Sequence, residues 1–171
     1  MSGNPQYLTL GIGPERFGLA IGHVREILDM RPVSRLPHAP AFLLGMIDVR
    51  GASFAVVDLR CKLGLPRAEP TDSTRIIIVS VALADRTLGI GLVADRVEEV
   101  TGLENETLEP PPEIGARWDR SCIAGIGRRN GGFVIILDVG ALMGTDSALL
   151  PGSPAERDPG SVAPEMTVRA A

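Results

Sequence analysis

The chain has 171 residues, 44% of them hydrophobic and 22% charged, which is enough apolar material for one ordinary domain to bury a core without covalent staples. Its 17 Lys and Arg against 21 Asp and Glu leave a net charge of -4, which argues against the basic surface that nucleic-acid backbones and anionic headgroups select. The expected partners are proteins or small molecules, with no nucleic acid, and no apolar run reaches the roughly 18 residues that direct membrane insertion of a helix requires.

Two cysteines, Cys61 and Cys122, sit in apolar segments and make no disulfide framework. Met1 to Gln6 lacks the basic-then-apolar plan of a signal peptide, so a reducing cytoplasm is the expected compartment.

Twenty glycines and 14 prolines cut the chain into short stretches rich in Val, Ile and Leu, a pattern of strands and turns. Strands are predicted at residues 7–12, 16–21, 33–36, 45–49, 53–57, 75–83, 87–93, 121–126 and 133–137. Asn130-Gly131 and Asp85-Arg86 read as hairpin turns, and Arg50-Gly51 is a third candidate. Asp58 before Leu59 to Leu63 and Gly64 reads as an N-cap, a short helix and a glycine stop, a plan that Asp138, Val139 to Met143 and Gly144 repeat.

That echo belongs to a weak internal repeat. Phe17 to Ile27 aligns without gaps on Ile90 to Val100, matching Gly18 with Gly91, Leu19 with Leu92, Val24 with Val97 and Glu26 with Glu99. Asp58 likewise answers Asp138. Short strands at close intervals favour closed barrels, which remove exposed strand edges. The fold expected is mostly β, two pseudo-repeated barrels packed together with short helices. The first unit is placed at about residues 14–65 and the second at 74–144, with the polar stretch 66–73 as linker and Tyr7–Ile12 completing the barrels. Residues 145–171, rich in Pro, Ser and Ala, read as a disordered tail outside the domain of residues 1–144.

Reactive chemistry is sparse. His23 and His38 lack neighbours at zinc-site spacing, and the three Gly-Ile-Gly runs at residues 11–13, 89–91 and 125–127 are not followed by helices that could present an N-terminus to phosphate. Cys61 and Cys122 read as small hydrophobes, and Asp58 and Asp138 as caps. No catalytic residue, cofactor or metal is expected, and the chain reads as a non-enzyme. With one Trp, one Tyr and four Phe it also lacks the stacking platforms of single-strand-binding barrels. Glu26, Arg50 and Asp48 remain, charged residues among apolar neighbours and candidates for interface work. Val24 and Ile27 are read as facing the core with Glu26 outward, the alternative being a plain Glu26–Arg50 surface ion pair.

Val24-Arg25-Glu26-Ile27, the stretch from Pro37 to Phe42, Gly45 to Gly51 and Val56 to Arg60, in that order and spacing, resemble the CheW family of chemotaxis coupling proteins, over about residues 7–144. The resemblance implies two five-stranded SH3-like barrels. It also implies a scaffold that binds the cytoplasmic tip of a chemoreceptor and the regulatory domain of the chemotaxis histidine kinase, monomeric in isolation and recruited to membrane-associated arrays. Carried over by motif, the partner-binding residues are Val24, Glu26, Asp48, Val49, Arg50 and Gly51. Asp48-Val49 stands where Asn-Leu is usual in the family, Ala55 where proline is frequent, and Leu63 in place of an aromatic residue. The charge of Asp48 bears on which partner is accepted. The alternatives are the same adaptor in an array for surface motility or second-messenger control, and a barrel enzyme or small-ligand binder.

Overall fold

The structure is a computed structural model that describes residues 5–82, 86–105, 107–111 and 122–144. The predicted tail and the Asp85 side of the Asp85-Arg86 turn lie outside the described residues.

Among the described residues ten strands form two five-stranded sheets. They are β1 (Tyr7–Ile12), β2 (Glu15–Ala20), β3 (Val24–Asp29), β4 (Leu43–Val49), β5 (Ala52–Asp58), β6 (Arg75–Ala82), β7 (Thr87–Ala94), β8 (Arg96–Thr101), β9 (Ile123–Arg129) and β10 (Gly132–Leu137). Helix α1 (Leu59–Lys62) follows β5 and α2 (Val139–Gly144) follows β10. The Asp58 carboxylate accepts from the Arg60 N–H at 3.0 Å and that of Asp138 from the Ala141 N–H at 3.0 Å, the two caps expected from sequence.

One sheet has the order β8-β1-β2-β10-β9 and the other β3-β6-β7-β5-β4. Exchanging the five strands of the first repeat unit for those of the second turns one order into the other. Neither sheet is therefore built from one consecutive half of the chain, which corrects the division at residues 14–65 and 74–144. β1 and β2 join β8 to β10, while β6 and β7 join β3 to β5. The exchange is made by two parallel pairings, Phe17 with Ile135 and Ile90 with Ala55, which occupy matching positions of the repeat, together with the antiparallel pairs β1–β8 and β3–β6. Parallel neighbours need a long crossover, so the two strands of each parallel pair come from different halves.

The repeat glycines lie at these seams. A Cβ on Gly18 would come within 2.7 Å of the Ile136 side chain, and one on Gly91 within 2.9 Å of that of Ile76. The larger core, with Leu10, Phe17, Leu19, Val57, Ile77, Ile90, Leu92 and Leu142, draws on both sheets. A smaller one, with Leu28, Ile47, Val49, Val56, Ile76 and Ile78, fills the sheet that carries β3 to β5.

Two strands went unpredicted and one prediction contracts to a single bridge. β3 and β8 are edge strands with mostly exposed or half-buried side chains, so their apolar signal is weak. In the 33–36 segment, Pro32 and Pro37 limit regular pairing, and only Ser34 bonds to Met46.

Candidate protein-interaction site

Arg50-Gly51 forms the turn between β4 and β5, with φ of 50° and 86°, the left-handed pair that a type I′ hairpin requires. Asn130-Gly131 makes the matching turn between β9 and β10 with φ of 52° and 77°. Val49, only 7% exposed, anchors the Arg50 turn in the smaller core, and Asp48 accepts from the Ser53 hydroxyl at 2.6 Å across its base.

Glu26 reaches this turn from β3. Strands β3 and β4 are opposite edges of their sheet, and the sheet curls until the two meet. The Arg50 guanidinium spans both Glu26 carboxylate oxygens, with Nη1 donating to Oε2 at 3.0 Å and Nη2 to Oε1. The Ser34–Met46 bridge closes the same gap farther along. Arg50 is 74% exposed and the Glu26 side chain 27%. The hydrogen bond from Arg50 holds the Glu26 carboxyl below its ordinary pKa, helped by the nearby charge of Arg31, and Glu26 in turn raises that of Arg50. The pair is ionised at neutral pH, open to solvent and screened, so it adds little to folding.

Of the residues expected to meet a partner, Glu26, Asp48, Arg50 and Gly51 share this end of the sheet. Val49 does not present its side chain, because strand alternation points it into the core. Val24 is half-buried against the larger core. Ile27 is 42% exposed, not core-facing, because the segment is a strand and not a helical turn. Val100, its repeat mate, is 49% exposed, and Phe133 is 58% exposed with the Arg128 guanidinium 5.0 Å from its ring centre. For Ile27 and Val100 the sequence signal is the repeat, which sets the two at matching positions.

The residues considered for chemistry have structural occupations. Burial pushes the Cys61 thiol pKa up, away from thiolate character. The Gly13 N–H, in the first Gly-Ile-Gly run, donates to Asp95 at 2.7 Å. Among the described residues no three His, Cys, Asp or Glu side chains come together as a metal site would need.

The CheW-like domain model matches residues 6–147. The chain belongs to the CheW family. It is 35% identical over 124 residues to the probable chemotaxis protein CheW of Rhizobium etli, covering 72% of this chain and 77% of that protein. It is 30% identical over 138 residues to the chemotaxis protein CheW of Rhizobium meliloti, covering 81% and 86%. Among solved structures, the scaffolding protein TtCheW from Thermoanaerobacter tengcongensis superposes with a TM-score of 0.73 at 27% identity, covering 83% of this chain and 89% of that one. CheW membership makes the chain a chemotaxis adaptor, a scaffold that couples receptors to their kinase.

Proposed function

We propose that the Glu26–Arg50 pair, with Asp48 and Gly51 beside it, is the face through which this adaptor engages the chemoreceptor tip or the kinase regulatory domain, and that it acts without catalysis. The protein is monomeric in isolation, cytoplasmic, and gathered to membrane-associated arrays by its partners.

The observation that supports this reading is the choice of Arg at position 50. A left-handed turn position favours Gly, Asn or Asp, and the matching turn has Asn130. An arginine held there, 74% exposed and steered by Glu26, sets a planar multi-donor group outward in one geometry, suited to a carboxylate or carbonyl on a partner. The negative charge of Asp48, tied to Ser53, borders it and tunes which partner is accepted.

The test is co-sedimentation of the purified protein with a receptor cytoplasmic fragment and the kinase, read together with kinase autophosphorylation. Wild type is expected to join the complex and change kinase activity, and Arg50→Glu to do neither while keeping its fold. A folded Arg50→Glu variant that couples as wild type does would remove this face from the interaction.

A further inference from the structure

Beside the Glu26–Arg50 face lies a cleft of about 540 Å³ between the β3–β4 connection and the linker after α1. Among the described residues three arginines line it, Arg31, Arg35 and Arg67, and no carboxylate does, although the chain as a whole is acidic. Leu36, Leu44 and Pro40 supply apolar wall.

Its frame is set before any ligand arrives. Ser34 and Met46 exchange backbone hydrogen bonds of 2.9 and 2.8 Å, the Leu43 N–H donates to the Pro40 carbonyl at 3.0 Å, and Arg67 Nη2 donates to the Ala41 carbonyl at 2.8 Å, tying the linker to the loop. Gly45 lies so close under Ser34 that a Cβ would fall 2.0 Å from the Ser34 carbonyl oxygen. Arg31 and Arg35 make no ion pair among the described residues, and Glu26, on the neighbouring strand β3, is already held by Arg50.

A preformed cleft in the range of about 300 to 1,000 Å³, partly apolar and carrying unpaired guanidinium groups, has the dimensions and chemistry of a small-ligand site. Guanidinium matches phosphate with paired donors and stacks on flat rings. A bare inorganic anion would leave the leucine wall uncovered. We propose that this cleft binds a small organic phosphate, its phosphoryl group between Arg31 and Arg35 and an apolar or ring-shaped body against Leu36 and Leu44. Its test needs neither receptor nor kinase.

Isothermal titration of the full chain with AMP, GMP, phenyl phosphate and inorganic phosphate tests this. At least one organic phosphate is expected to bind saturably at a single site, about tenfold tighter than inorganic phosphate, and to lose about tenfold in affinity in the Arg31→Ala/Arg35→Ala variant. Should that variant lose its thermal transition, Arg35→Ala alone, at an exposed position, serves in its place. The proposal is overturned if none of the organic phosphates saturates below about 10 mM, if the arginine variants bind unchanged, or if inorganic phosphate binds as tightly as the others. An acidic peptide that binds through these arginines while the organic phosphates do not would also overturn it, in favour of a protein segment.

Discussion

At matching places in the repeat, the molecule builds the same backbone and fits it with different side chains. Arg50-Gly51 and Asn130-Gly131 adopt nearly the same φ pair, yet one turn carries a cation engaged by Glu26 and the other the residue that turn chemistry prefers. The flanking positions also differ in sign, with Asp48 bound to Ser53 on one side and Arg128 stacked on Phe133 on the other. A second contrast lies where the chain passes between sheets. After β7, Asp95 accepts from Arg60 at 3.0 and 2.6 Å and from the Gly13 N–H at 2.7 Å, joining α1, the β1–β2 turn and the crossover. At the matching places of the other half stand Gly22 and Gly140, which carry no side chain to form such a latch. The duplicated backbone supplies the fold, and differences laid over it make the two ends chemically distinct.

If the halves are interleaved, cutting them apart has the largest effect. Residues 1–72 and 73–144, expressed separately, are each expected to lack a cooperative thermal transition, because each leaves β-strands without their neighbours. Mixed together they are expected to recover a strand-rich circular dichroism spectrum. A cooperatively folded single half would break the interleaved description. Next comes a matched pair of glycines, each facing the bridge that closes its sheet. Gly45, with φ of 147° and the Ser34 carbonyl in the way, is expected to cost on the order of 3 kcal/mol when changed to Ala. Gly125→Ala brings a Cβ within 2.5 Å of the Leu108 Cβ and 3.1 Å of the Glu109 carbonyl oxygen and is expected to cost less, about 1 to 2 kcal/mol, since its contacts are longer and its φ is not in the left-handed range that strains Gly45. Urea unfolding with unchanged slope measures both, and equal costs would contradict the difference.

The Asp95 latch comes third, with Asp95→Asn expected to cost on the order of 1 kcal/mol at neutral pH. Burial pushes the Asp95 carboxyl up, but the hydrogen bonds from Arg60 and the Gly13 N–H outweigh it and hold the group below its ordinary 3.8. A carboxyl depressed in the folded state contributes stability that is fully present above the unfolded pKa and is lost as pH falls through the folded one. The gap between wild type and Asp95→Asn should therefore be constant from neutral pH down toward 4 and close below it. A gap that widens on acidification would show that the latch is not the ionised pair.

Most of the β character, both caps and the repeat were legible because each has a local cause: β-branched runs, an aspartate before a short apolar stretch, an Asn-Gly pair. Edge strands were harder to see. Val24-Arg25-Glu26-Ile27 puts an apolar residue on each face of β3, which read as helical spacing until the sheet showed that Ile27 is exposed. Glu26 and Arg50 stood out as charges without a structural reason, but their meeting depends on a sheet whose two edges curl together, a long-range fact. The Asp95 latch left no local trace, since its three parts are far apart in sequence. Val49 was assigned to the interface with its motif neighbours, although strand alternation alone sends it inward.

The smallest effect on folding, and the sharpest on function, is expected from making the two turns alike. In Arg50→Asn the backbone keeps its left-handed turn, now with the residue found at Asn130, and the exposed pair with Glu26 is removed. Because the ion pair is solvent-screened and Asn suits the turn, the thermal midpoint should stay within about 3 °C of wild type. Coupling should fall all the same, since no planar cation remains beside Glu26 and the carboxylate faces the partner alone. Differential scanning fluorimetry and co-sedimentation with receptor fragment and kinase separate the outcomes. A midpoint lowered by about 10 °C would make Arg50 a structural clamp. Full coupling at an unchanged midpoint would mean that the turn's shape, common to both halves, is what partners recognise, and that the arginine is incidental to it.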